Sequence, residues 1–294
     1  MITEESHDTS AIHSQIGKHS NLQFRDVLAL ATSTDPWSPA LLAAIEIAAR
    51  WGGNVTGCYV PGCLRELHPG ESDPTVMGLL TDIEYECADE SGAFQAFARA
   101  NGVHHSSWAV SHTAIAPTLR KLGAWHDLAI LERDIVDEAQ VIGILGEAML
   151  SSRLPCIVLP PDWNTPIEFN RIVIGWNGGF EATRALHSAL PLIQLAKEVI
   201  LINGEVRTPY ETQVSVTEPD PVVYLMHHGI AAKSHRVQVT VDEAGKTLLE
   251  KAREVHADLL VMGAYSHSRI RERVLGGATR HVITNADIPV FMQH

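Results

Sequence analysis

RDVLAL at 25–30 and RIVIGW at 171–176 are two versions of one pattern, a charged residue followed by a short and largely apolar run. Such a run fits a strand buried on both faces. Each leads into a long helical stretch, and two further pairs follow in the same order. HDLAIL at 126–131 answers ADLLVM at 257–262, and LPCIVLPP at 154–161 answers IPVFMQH at 288–294. The chain therefore repeats itself. Arg25 and Arg171 stand 146 positions apart, Asp127 and Asp258 131, and Pro155 and Pro289 134. The excess in the first copy, 146 − 131 = 15 residues, falls between its first and fourth strands, in the Gly- and Pro-rich stretch 61–74. Aligning Arg25 with Arg171 puts Ala31 opposite Asn177.

Within each copy strand-like and helical runs alternate. In the second, helices are predicted at 181–195, 221–232 and 244–256, and strands at 198–203, 234–239, 258–263 and 289–292. Consecutive parallel strands need a crossover, usually a helix, so the class is α/β: two tandem doubly wound domains, each with a five-stranded parallel sheet. The polar stretch 1–21 reads as a tail, 22–160 as the first domain and 169–294 as the second. Residues 161–168 within PPDWNTPIE form the linker.

Length and composition agree with two domains. At 294 residues and 45% hydrophobic, each half can bury its own core. Lys and Arg number 22 against 35 Asp and Glu, a formal charge of −13, which disfavours nucleic acid or an anionic membrane as partner. No stretch approaches the about 18 consecutive apolar residues of a membrane span, and residues 1–21 lack the apolar core of a secretory signal. Cys58, Cys63, Cys87 and Cys156 form no CxxC pair and read as structural thiols of a reducing compartment, so a cytoplasmic location is expected.

In a doubly wound sheet, ligands sit beyond the carboxyl ends of the strands where the winding reverses. Two loops of the second copy fall there. One is Asn177-Gly178-Gly179. The other runs from Gly263 through Ser266 to Gly276, Gly277, Ala278 and Thr279. Glycines let backbone amides approach an anion, and the following helix offers its unpaired amides and positive dipole end. Between 263 and 281, Arg269, Arg271, Arg273 and Arg280 against Glu272 give a net +3. The matching loop of the first copy, Glu132 to Glu138, is net −3 and has no glycine. It should repel a triphosphate.

The run DLLVMGAYSHSRIRERVLGGATRHVITNADIPVFM resembles the C-terminal portion of a universal stress protein. RIVIGWNGGFEATRAL resembles that family's opening strand and helix. The family signature is Gly, two residues, Gly, nine residues, then Gly and a hydroxyl residue; Gly263, Ser266, Gly276 and Gly277 stand at that spacing. The resemblance implies a Rossmann-like fold and an adenine nucleotide, ATP, in the second copy alone. Asn177 would lie near base or ribose, the amides after Gly263 and Gly276 near the phosphates, and Thr279 would donate a hydroxyl, with Met262, Ser266, Gly277 and Ala278 completing the cofactor site. It also implies pairing of the last strands of the two copies into an intramolecular pseudo-dimer, with a homodimer or an unidentified protein partner beyond it. Three positions depart from the nucleotide-binding pattern: Ser266 for Gly, Gly277 for a hydroxyl residue, and Asn177 for Asp.

The expected function is a stress-response regulator rather than an enzyme. A nucleotide-free scaffold of the same family is the alternative, and a slow ATPase the second alternative. There is no GxSxG and no catalytic residue to assign. His104-His105 and His227-His228 are adjacent rather than at ligand spacing, so no metal site is expected among the sixteen histidines.

Overall fold

The computed structural model describes residues 22–67, 90–204, 220–240, 243–264 and 276–294. The first half runs β1 (Asp26–Ala31), α1 (Pro39–Trp51), β2 (Asn54–Tyr59), a one-turn helix at Gly62–Arg65, α2 (Glu90–Ala100), β3 (Ser106–Val110), α3 (Ile115–Gly123), β4 (Leu128–Glu132), tight turns through Leu145, α4 (Gly146–Ser152) and β5 (Cys156–Leu159). The second runs β6 (Arg171–Trp176), α5 (Phe180–Ile193), β7 (Glu198–Gly204), α6 (Pro221–His227), β8 (Ala232–Val237), α7 (Ala244–Glu254), β9 (Leu259–Gly263), α8 (Gly277–Asn285) and β10 (Val290–Gln293).

The strands form one ten-stranded sheet in the order β3-β2-β1-β4-β5-β10-β9-β6-β7-β8. Each half is the doubly wound pattern read from the sequence, and every pairing within a half is parallel. The halves meet where β5 and β10 pair antiparallel, Val158 with Val290, Ile157 with Phe291 and Cys156 with Met292. Cys156 and Val290 hold corresponding places beside β4 and β9, opposite Ala129 and Leu260. The local two-fold axis therefore passes between Ile157 and Phe291.

Alternate strand residues feed two cores, one on each face of the sheet. Leu28, Leu30, Val173 and Met262 point to the face covered by α3, α4, α7 and α8. Val27, Ala29, Ile174 and Val261 point to the face covered by α1, α2, α5 and α6. Both cores run unbroken across the β5–β10 junction.

The repeat extends to single hydrogen bonds. Asp127 Oδ2 accepts the Arg25 and Asp26 amides, and Asp127 N donates to Asp26 O. Asp258 Oδ2 accepts the Arg171 amide, and Asp258 N donates to Arg171 O. These bonds, with Val27 opposite Leu128 and Ile172 opposite Leu259, pair Asp26 with Arg171. The counterpart of Asn177 is thus Thr32, not Ala31; matching the two arginines by letter slips the strand by one residue.

Two boundaries also differ from expectation. The helix predicted at 221–232 ends at His227, because Gly229 (φ 75°) and the amide of Ile230, bonded to Leu225 O, turn the chain; β8 then starts at Ala232 rather than 234. The segment 161–168 is tied down: Ile167 is buried, its amide donates to Glu46 Oε2, and Arg50 lies over the Phe169 ring.

Candidate functional site

The winding of the second half reverses between β6 and β9, so the crevice for a ligand opens beyond Trp176 and Gly263. On one face it is bounded by the N-terminus of α5, on the other by the N-terminus of α8. Asn177 and Gly178 form the turn into α5; Gly178 has φ 72°, and Asn177 Oδ1 accepts the Gly179 amide at 3.0 Å. The carboxamide oxygen expected to meet base or ribose is therefore engaged in its own turn.

Gly263 has a packing reason for lacking a side chain. A Cβ there would lie 2.6 Å from the Ala182 amide nitrogen and 2.6 Å from the Glu181 carbonyl carbon, so the end of β9 touches the first turn of α5. Met262 faces the opposite core and offers a ligand only its backbone. Gly276 is the N-cap of α8, and a Cβ on it would meet nothing within 4 Å among the described residues. Gly277 is the first residue of that helix, which has no acidic side chain in its first turn. Ala278 is fixed from outside: a Cβ on Gly245 of α7 would stand 2.6 Å from Ala278 O, so α7 and α8 are in backbone contact there. Thr279 is buried. Ser266 and the arginines 269, 271 and 273 lie outside the described residues.

The corresponding place in the first half is filled by the protein itself. Glu132, at the end of β4, is the counterpart of Gly263 and is 5% exposed. Its Oε1 accepts the Ala40 amide in the first turn of α1 at 3.1 Å, and its Oε2 accepts the Thr32 hydroxyl at 3.0 Å. Burial pushes its carboxyl above the usual carboxylate range, against the opposing pull of the Ala40 and Thr32 bonds. Arg65 closes the site further by donating to Thr32 O and Val60 O. Neither Glu132 nor Gly245 is marked out by a motif; the signal for Glu132 was its position opposite Gly263 in the repeat.

Cys58, Cys63 and Cys156 are free thiols, with Cys58 and Cys156 pushed up to about 12 by burial; Cys87 lies outside the described residues. His104, His105 and His227 are exposed, whereas His228 and His187 flank the Tyr224 ring. No group of three or more metal-ligating side chains occurs among the described residues, and no helix among them is long and apolar enough to cross a membrane. Two concavities, of about 640 and 650 Å³, lie away from the crevice, one at the N-terminal ends of β6 to β8 and one beside α1.

Residues 168–294 match the model of the Universal stress protein family. A universal stress protein of Synechocystis sp. is 26% identical over 137 residues, 47% of this chain and 46% of that protein, so the chain spans about half the length of the curated relative it matches. Among solved structures, a universal stress protein from Archaeoglobus fulgidus DSM 4304 superposes with a TM-score of 0.62 at 16% identity, covering 93% of this chain and 98% of the other. A protein of unknown function from Pseudomonas aeruginosa PAO1 gives 0.58 at 14% identity, covering 92% of each. The likeness of fold therefore extends over both halves, while the family model matches the second.

Proposed function

We propose that this chain is a cytoplasmic stress-response regulator that holds ATP at the crevice of its second half and acts through an unidentified protein partner, without catalysis. The division follows the repeat: a tail at 1–21, a degenerate first domain at 22–160, a linker at 161–168 and the nucleotide domain at 169–294. The observation that carries the reading is the N-terminus of α8. It begins at two glycines, with no described residue within 4 Å of a Cβ placed on Gly276 and no carboxylate in its first turn. The counterpart helix α4 has Glu147 there. An anion gains from unpaired amides and a positive dipole end only where no internal carboxylate competes.

The nucleotide-free scaffold is a second reading, favoured by the Asn177 carboxamide being bonded to Gly179 and by Gly263 being packed on α5. Calorimetric titration of ATP into the full chain separates the two. Gly276→Val, which puts bulk where the phosphates approach, should abolish binding. Gly277→Ser, which restores a hydroxyl, should strengthen it by about 1 kcal/mol. Unchanged affinity in Gly276→Val would overturn the assignment, and a wild type that binds no ATP leaves the scaffold.

A further inference from the structure

The helix that carries the proposed phosphate end is held at its other end by the first half. Arg133 follows Glu132 at the end of β4, and its Nη1 donates to Ala286 O at 2.9 Å and Ile283 O at 3.3 Å, the carbonyls that close α8. Val141, Ile144 and Leu145 of the first half share a core with Val282, Ile283 and Ala286 of the second. From α7, Arg253 holds another end carbonyl, Asn285 O, and pairs with Asp287. Gly245 holds the first turn at Ala278. A nine-residue helix with three such anchors has its N-terminus placed by all of them, and one anchor belongs to the half that carries no proposed nucleotide site.

We propose that Arg133 is a positioning residue for the nucleotide site of the other half: by closing the C-terminal carbonyls of α8 it sets where the Gly276–Gly277 amides point, and thereby couples ATP affinity to the β4 turn of the first half. The inference rests on the proposed nucleotide site. Nη1 alone donates to both carbonyls, and the guanidinium charge complements the negative end of the helix dipole while phosphate complements the positive end. Coupling of this kind is reciprocal, so ATP must in turn tighten the Arg133 contact.

The test uses the full chain as wild type, Arg133→Gln and Arg133→Lys. ATP affinity is read by calorimetry at a temperature far below each variant's melting point, and amide hydrogen exchange is followed across α8 and residues 132–138. The expected result is a loss of about fivefold in ATP affinity for Arg133→Gln, with partial recovery in Arg133→Lys. ATP should protect residues 132–138 in the wild type and not in Arg133→Gln. Equal affinity in Arg133→Gln and wild type overturns the proposal even where ATP binds. If the wild type binds no ATP, the nucleotide reading falls with the coupling. The positioning of α8 is then judged by exchange in nucleotide-free protein, and unchanged exchange at Arg280–Ile283 in Arg133→Gln overturns that as well.

Discussion

At the same point of the winding, the two halves place a carboxylate on opposite partners. In the first, the strand end supplies it: Glu132 reaches from β4 to the first turn of α1, where the second helical residue is Ala40. In the second, the strand end is the bare Gly263 and the second residue of α5 is Glu181, itself buried. The first arrangement lays a side chain between the strand end and the helix; the second draws backbone against backbone. A repeat can keep its hydrogen-bonded frame, as Asp127 and Asp258 do, while one exchange of this kind changes what lies at the end of the strand.

The largest effect is expected at Gly263. Gly263→Val puts a branched side chain against the Glu181–Ala182 backbone at a place with no flexible neighbour to yield, and should cost about 3 kcal/mol. Equilibrium denaturation of the full chain measures it. A variant as stable as the wild type would mean that the glycine is not there for packing.

A smaller loss is expected from giving the first half the residue of the second. Glu132→Gly leaves the Ala40 amide without its acceptor and a cavity beneath α1, at a cost of about 2 kcal/mol. The same denaturation series reads it. Full retention of stability would remove Glu132 as the cap of α1.

The smallest effect is one of pH. Glu132→Gln keeps the bond to Ala40 through its carbonyl oxygen, and Thr32 can turn its hydroxyl to accept from the amide, so stability near pH 7 should change by less than about 1 kcal/mol. The slope should change more clearly. Because the folded protein holds the Glu132 proton more tightly than the unfolded chain, its stabilising share is complete below the ordinary carboxylate value of 4.5 and is lost as pH rises through the raised value. The wild type should therefore lose stability relative to Glu132→Gln across that window, and parallel curves from pH 4 upward would contradict a buried, perturbed carboxyl.

The α/β class, the winding and the place of the crevice were legible in the sequence because they depend on period and order, which RIVIGW, ADLLVM and IPVFMQH display plainly. The register of the first strand was not. Arg25 and Arg171 match as letters, but the bonds to Asp127 and Asp258 fix the pairing one residue on, and a one-residue shift carries each side chain to the other face. That shift hid Thr32, and with it the contact that marks Glu132 as a buried cap rather than one of several repelling charges. Arg133 and Gly245 were hidden for another reason. Each acts through a neighbour distant in sequence, Ala286 and Ala278, and no local pattern announces such a contact.

The antiparallel meeting of β5 with β10 uses up one rim of each half, so among the described residues β3 and β8 are the outer strands of the joined sheet. Ten strands at 4.8 Å spacing set these about 43 Å apart. They are not alike. β8 exposes Lys233, Ser234, His235 and Arg236, and a basic rim resists a second copy of itself. β3, reading Ser-Ser-Trp-Ala-Val, carries no charge. A strand added to this sheet would meet a charged edge at β8 and an uncharged one at β3.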